Sequence, residues 1–325
     1  MTDMSSIKDQ LMNDVITLTN DGGRAVGTKG HHNARQHINS RLTNLGVSNY
    51  SGNSFLLPYG PSSKGFANVI AMIPGADPSK APVLLGAHFD TCGNFPGADD
   101  NAAAVAILLA VAELLDHTER SVILAFFDAE EPPYFLDESM GSIRFYENQR
   151  TGPIHAAIIL DLVGHDVPVK GLEDVIFITG SESDPGLEIA VRESEPTAKL
   201  RTVPTLNDYV GDLSDHHIFR TNERPYLMLT CGRWEHYHMP TDTPDKLNIN
   251  KMEAVANYVV RLTNFISESR LDGPFFSNDP VETEIYFLRK NIMPTLQSLG
   301  ITLPPLNSRK DIDTLVTTLI SQFEL

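Results

Sequence analysis

From residue 66 onward, short runs rich in Val, Ile, Leu and Phe alternate with longer stretches of helical periodicity, and few architectures accept that alternation. The runs cover 66–73, 82–90, 121–129, 154–163, 174–179 and 225–231. They are as short as strands and too uniformly apolar for a sheet with one wet face. Helical patterns fill about 100–116, 138–149, 185–194, 213–220 and 248–269, and two more, at 4–19 and 30–45, precede the first run. Strands buried on both faces and joined through helices predict an α/β fold, a three-layer α/β/α sandwich around a mixed, largely parallel sheet. The stretch 101–115 is apolar almost all round, as in a helix buried on several sides. Gly46 after Leu45 suits the left-handed residue that closes a helix. Around 272–280, Gly, Pro, Asn and Asp gather as in a linker, and 281–325 reads as two helices separated at Pro304-Pro305. The expected layout is a domain over 1–271, then a linker and helical C-terminal extension over 272–325. The extension is expected to pack on the domain's own surface, a homo-oligomer contact or a gate being the alternatives.

Ligands of open α/β sheets gather at the carboxyl ends of the strands, so the residues at those ends carry the chemistry. His88 and Asp90 close the second run, and Gly97-Ala98-Asp99-Asp100-Asn101 opens the apolar helix. Asp128, Glu130 and Glu131 lie at the end of the third run, and Asp161 ends the fourth. Tyr237-His238-Met239-Pro240-Thr241-Asp242-Thr243 comes after the sixth. So many acids at one sheet edge repel each other unless cations sit among them. Imidazole nitrogen and carboxylate oxygen suit zinc, and dinuclear hydrolytic sites hold their ions about 3.5–4 Å apart. With one carboxylate shared, His88, Asp100, Glu131, Asp161 and His238 give each of two ions three protein donors and leave room for a shared water. Adjacent Glu130 and Glu131 cannot both reach one ion without strain, which predicts one donor and one general base. Asp90 is placed to accept the other imidazole N–H of His88 and fix its tautomer.

Charge narrows the partners. Against 25 basic residues stand 42 acidic ones, a net −17, so neither nucleic acid nor an anionic membrane surface is an expected partner. The only two cysteines, Cys92 and Cys231, make neither a disulfide scaffold nor a thiolate zinc motif. Cys92 falls in a loop near the expected site, where metal sensitivity, oxidation and plain burial are all open readings. Residues 1–20 read as an amphipathic helix without the pattern of a signal peptide, and no apolar run approaches the ~18 residues of a membrane span. A cytoplasmic location is the expectation.

In their order, His-x-Asp, Gly-Ala-Asp-Asp-Asn, Glu-Glu, Asp and Tyr-His-x-Pro-x-Asp-Thr resemble the M28 family of zinc aminopeptidases. The resemblance covers roughly residues 20–270, including 24–30 and Ser214-Asp215-His216-His217-Ile218-Phe219. It implies the zinc exopeptidase fold and two Zn2+ per chain, with Co2+ or Mn2+ as substitutes. It also implies a peptide substrate cleaved at its N-terminus. Residue by residue, it implies that Asp100 bridges the ions, that His88 and Asp161 hold one, and that Glu131 and His238 hold the other. Glu130 would be the base acting on the shared water, and Tyr237 would help to stabilise the oxyanion. Asp99 is expected to be structural, and His216 and His217 to be structural or pocket-wall residues. Trp234 is read as pocket-lining or packing, and His31, His32, His117, His155, His165 and His236 as solvated or helix-surface residues.

Several rivals share parts of this pattern. M20-like peptidases and deacylases carry a long insertion before their last donor, and the 77 residues from Asp161 to His238 are already taken up by the α/β continuation. Glutaminyl cyclases share the fold and the Ser-Asp-His-x-x-Phe type of segment, but commonly use one zinc and have Asp-Ser where Asp100-Asn101 stands here. A di-metal carboxypeptidase is another alternative. A non-catalytic binding protein would have lost donors or the base, and every one of them is present. Neither G-x-S-x-G nor H-E-x-x-H occurs.

Overall fold

The structure, a computed structural model, describes residues 6–196, 199–301 and 305–323. Its strands are β1 (Ser48–Asn49), β2 (Leu56–Pro58), β3 (Ala67–Ile73), β4 (Val83–His88), β5 (Val122–Phe127), β6 (Ala156–Leu160), β7 (Val175–Thr179), β8 (Arg201–Pro204) and β9 (Tyr226–Thr230). Its helices are α1 (Ile7–Thr19), α2 (Lys29–Leu45), α3 (Ala103–Leu114), α4 (Gly141–Arg144), α5 (Pro185–Glu193), α6 (Asn207–Val210), α7 (His217–Thr221), α8 (Ile249–Glu268), α9 (Val281–Asn291), α10 (Met293–Ser298) and α11 (Arg309–Phe323). The strands form one sheet in the order β1-β3-β5-β4-β6-β9-β7-β8, with β2 also paired to β3. At its centre β5, β4, β6 and β9 run parallel. Outside them β3 and β7 run antiparallel to their inner neighbours, and β8 runs parallel to β7. The sheet is thus mixed with a parallel core. Strands β1, β2 and β8 went unread in the sequence because two to four residues carry no periodicity.

Alternation along each central strand divides the core in two. Val83, Leu85 and Ala87 of β4 face a cluster with Leu11, Ile38 and Leu108, from α1, α2 and α3. Leu84, together with Ile123, Phe127 and Ile159, faces a second cluster with Ile143, Phe145 and Phe219. Two cores, one per face, are what make three layers. The innermost helix is α3, every residue of which is buried from Ala103 to Ala112. Local signals set several boundaries. Ser6 and Asp9 form a reciprocal capping box at the start of α1. Gly46 closes α2 at φ 69°, the left-handed region its position implied.

The C-terminal residues also join the first core, through Phe287, Ile292, Leu296, Leu306 and Ile312. Among the described residues they form three helices in place of the expected two, because Pro294 opens α10 directly after α9. Pro304, one half of the expected break, lies outside the described residues, as do residues 4 and 5 of the first expected helix. Among the described residues no helix is long and apolar enough to cross a membrane.

Candidate metal centre

The parallel central strands end on one edge, and the loops leaving them turn inward. His88 is the last residue of β4, Asp161 directly follows β6, and Glu130 and Glu131 come shortly after β5. Asp100 arrives in a different way, in the irregular turn 98–102 that leads into α3. Gly97 starts that turn at φ 57°, and a Cβ there would lie 2.2 Å from the Asp100 carbonyl, so only glycine fits. Asp242 fixes the turn from the other side: its carboxylate accepts from the amides of Asp99 (2.9 Å) and Asp100 (3.1 Å). Asn101 donates from Nδ2 to the Leu160 carbonyl at 2.9 Å, tying the turn to β6.

The result is a compact double cluster. His88 Nε2 lies 3.4 Å from Asp100 Oδ1 and 3.5 Å from Asp161 Oδ1. His238 Nε2 lies 3.1 Å from Asp100 Oδ2 and 3.0 Å from Glu131 Oε2. The two oxygens of one aspartate therefore face two different His/carboxylate pairs. Donors at about 2.0–2.2 Å from a tetrahedral ion stand roughly 3.3–3.6 Å apart, close to these spacings. Among the described residues Asp100 Oδ2, Glu131 Oε1, Asp161 Oδ1 and His238 Nε2 are buried without a hydrogen-bond partner. Buried polar atoms rarely stay unpaired, and acids and imidazoles in this arrangement fit a pair of divalent cations. Glu130 lies beside the His88 half, its Oε2 3.8 Å from His88 Nε2.

Supporting residues surround the cluster. The Asp90 carboxylate accepts from the amides of Glu130 (3.0 Å) and Glu131 (3.1 Å), fixing both glutamates at once. Its nearest approach to His88 Nδ1 is 3.6 Å, beyond hydrogen-bond reach, so its partners are those amides in place of the expected imidazole. Tyr237 stacks on His238 with ring centroids 3.8 Å apart, and the Arg233 guanidinium lies over its ring 4.8 Å from the centroid. Burial, with the Asp100 and Glu131 charges, pushes the Tyr237 phenol up, so it stays protonated as a hydrogen-bond donor.

Two histidines expected at the surface are buried instead. His31 bonds Asp128 Oδ1 at 2.7 Å, and His165 bonds Asp99 Oδ2 at 2.6 Å. Each partner is distant in sequence, so a helix or loop pattern could not show it. The Asp99–His165 pair continues into a stack of His165 on Trp234, 4.4 Å between centroids, within the loop that delivers His238. Two further residues went unrecognised as site candidates. Arg24 is fully buried behind the cluster. Asp215, in the Ser-Asp-His segment, is buried near Ser142, and burial pushes it up to about 7.

Burial dominates the electrostatics. It raises Glu130 well above the usual carboxylate range, and it raises Glu131 and Asp242 to about 7. Asp100 goes the other way: burial is outweighed by the His238 and His88 imidazoles facing its two oxygens, which hold it low. Burial works against the charge on His238 too, yet Asp100 and Glu131 raise it to about 9. These shifts set how the metal-free chain behaves. Glu131 and Asp242 then bind their protons more tightly folded than unfolded. The stability they contribute is full below their ordinary range near pH 4 and lost as pH rises to about 7. His238 extends the decline toward about pH 9. The chelated protein is therefore expected to melt lower at about pH 7.5 than at about pH 5. Added zinc should stabilise it more at the higher pH, by up to about 4 kcal/mol at a thousandfold excess over Kd. Calorimetry in both buffers checks this, and a chelated protein that gains stability across that window would overturn it.

A sequence model of peptidase family M28 matches residues 68–263. Over 218 residues the chain is 29% identical to "Uncharacterized protein YfbL" of Escherichia coli (strain K12), covering 57% of this chain and 67% of that protein. It is 29% identical over 210 residues to endoplasmic reticulum metallopeptidase 1 of Mus musculus, covering 62% of this chain and 22% of that protein. The chain thus spans about a fifth of the length of that larger relative. Among solved structures, LapB from Legionella pneumophila superposes with TM-score 0.66 at 20% identity, over 81% of this chain and 72% of that one. Porphyromonas gingivalis glutaminyl cyclase superposes with TM-score 0.63 at 22% identity, over 78% of this chain and 96% of that one. At these identities the likeness is one of fold.

Proposed function

Since the chain belongs to peptidase family M28, a metal-dependent family, we propose that it is a two-zinc aminopeptidase, an exopeptidase that removes single residues from the N-terminus of peptides. The observation that carries this reading is the division of Asp100, one oxygen facing His88 and Asp161 and the other facing Glu131 and His238. His88, Asp161 and Asp100 would hold one ion, and Glu131, His238 and Asp100 the other. Zinc suits the donors, with cobalt or manganese as substitutes. When bound, the ions supply Lewis acidity, polarising the scissile carbonyl and lowering the pKa of water.

The chain's own residues do the rest. Glu130 takes the proton of the attacking water and returns it to the leaving amine. Its buried position, where the proton is held well above the usual carboxylate range, suits a group that must carry one between the two events. Asp90 does no chemistry itself; by holding the amides of Glu130 and Glu131 it keeps base and donor in register. The Tyr237 phenol donates to the carbonyl oxygen as that oxygen gains charge. A free α-ammonium is drawn to the surrounding carboxylates, which favours chain ends over internal peptide bonds.

The test is hydrolysis of aminoacyl-p-nitroanilides and dipeptides, with metal content measured on the same sample. Release of the N-terminal residue, abolished by chelation and restored by zinc at about two ions per chain, is the expected result. Metal-dependent cyclisation of an N-terminal glutamine with no amino acid released would replace this reading with that of the cyclases sharing the fold. A chain that takes up no metal would overturn it outright.

A further inference from the structure

Cys92 lies two residues beyond Asp90, in the turn after β4. Its Sγ and one donor atom each of Glu131 and His238 all lie within 4.8 Å of one another. Resting on the two-cation reading above, we propose that the Cys92 thiol is a further donor to the cation held by Glu131 and His238.

Three observations converge on this. Glu131 is only 3% exposed, and its Oε1 is buried without a hydrogen-bond partner among the described residues, as is His238 Nε2. A small, partly open cleft of about 10 Å³ has Cys92, Asp100 and His238 in its wall. That is room for one water-sized occupant and no more. Zinc–sulfur bonds of about 2.3 Å and zinc–nitrogen or zinc–oxygen bonds of about 2.0–2.2 Å put such donors roughly 3.3–3.7 Å apart. A contraction of about an ångström, within reach of side-chain rotation, brings the three atoms to that spacing. The thiol gives its proton to solvent as sulfur binds the ion. The other cysteine, Cys231, is 2% exposed and takes no part in this group.

The two halves of the centre are then unequal. With Asp100, Glu131, His238 and Cys92, one ion has four protein donors, a closed tetrahedral set. The other, with His88, Asp100 and Asp161, has three and keeps an open position. Sulfur makes the closed half prefer zinc to manganese or magnesium, while the nitrogen and oxygen donors of the open half discriminate less.

Cobalt makes the difference visible. The full chain, stripped and reloaded with cobalt, is expected to show a thiolate-to-cobalt charge-transfer band in the near ultraviolet. Cys92→Ser should lose that band and bind one of its two zinc ions about tenfold or more weakly, while Cys231→Ala should keep the band. Should Cys92→Ser fold poorly, the wild-type chain carries the test alone, because bound zinc should slow alkylation of Cys92. Cobalt taken up with visible ligand-field bands but no near-ultraviolet band, and alkylation indifferent to zinc, would overturn thiol donation and leave the two-cation reading in place. A wild-type chain that takes up neither metal would overturn both.

Discussion

Glu130→Gln is expected to keep its fold and its metal and to lose hydrolysis by about 10²–10⁴-fold, the usual contribution of a positioned acid–base group. Glutamine matches the volume and planarity of glutamate but cannot take up the proton of an attacking water. In the assignment proposed above Glu130 is the base and not a donor, so its replacement should leave the donor set intact. The backbone is equally untouched, because the Asp90 carboxylate binds the Glu130 amide and not its side chain. The loss should fall on kcat, with zinc content unchanged. A variant that turns over normally would remove Glu130 from the role of base, and one that loses zinc would make it a donor.

The second large effect is on stability. Replacing Arg24 by leucine is expected to cost about 3–5 kcal/mol, the range found on breaking a buried charge network. Arg24 is fully buried, and its guanidinium donates to the carbonyls of Phe89 (2.7 Å), Pro96 (2.6 Å), Gly97 (2.8 Å) and Leu18 (3.3 Å). Burial lowers its pKa only to about 10, so at neutral pH it remains a cation, close to the charges of Asp100, Asp242, Asp90 and Glu131. Leucine would take this donor from the Phe89, Leu18 and Pro96 carbonyls, leave Gly97 with only its bond from the Ala102 amide (3.2 Å), and remove a positive charge from behind an acidic cluster. At about 2–4 °C per kcal/mol, a Tm lower by roughly 10 °C is expected for the zinc-loaded protein. Lysine should recover only part of the loss, since a compact ammonium cannot reach carbonyls set out for a planar fork. A Tm unchanged in Arg24→Leu would show that the carbonyls are satisfied in another way.

What the sequence disclosed and what it hid divide along a physical line. Strands of five residues or more, buried on both faces, announce themselves as apolar runs. The loops leaving the central strands, and the turn that leads into α3, then meet at one edge. Hence His88, Asp100, Glu131, Asp161 and His238 could be named from the sequence, and they stand together in the structure. The hidden part depends on contacts between distant segments. His31 meets Asp128 across 97 residues and His165 meets Asp99 across 66. Arg24 was invisible for another reason: its partners are carbonyl groups, which every residue has. Asp90 was placed in the right neighbourhood with the wrong partner, because a His-x-Asp spacing cannot tell a ring nitrogen from two nearby backbone amides.

The stack of Trp234 on His165 has a practical consequence. This is the chain's only tryptophan, and it sits in the loop that carries His238. All the indole emission of the molecule therefore comes from one ring, four residues from His238 and pressed against an imidazole. Fluorescence, which in most proteins of this size averages over several tryptophans, here reports on a single loop. The seating of that loop can be followed in the unlabelled native protein in real time.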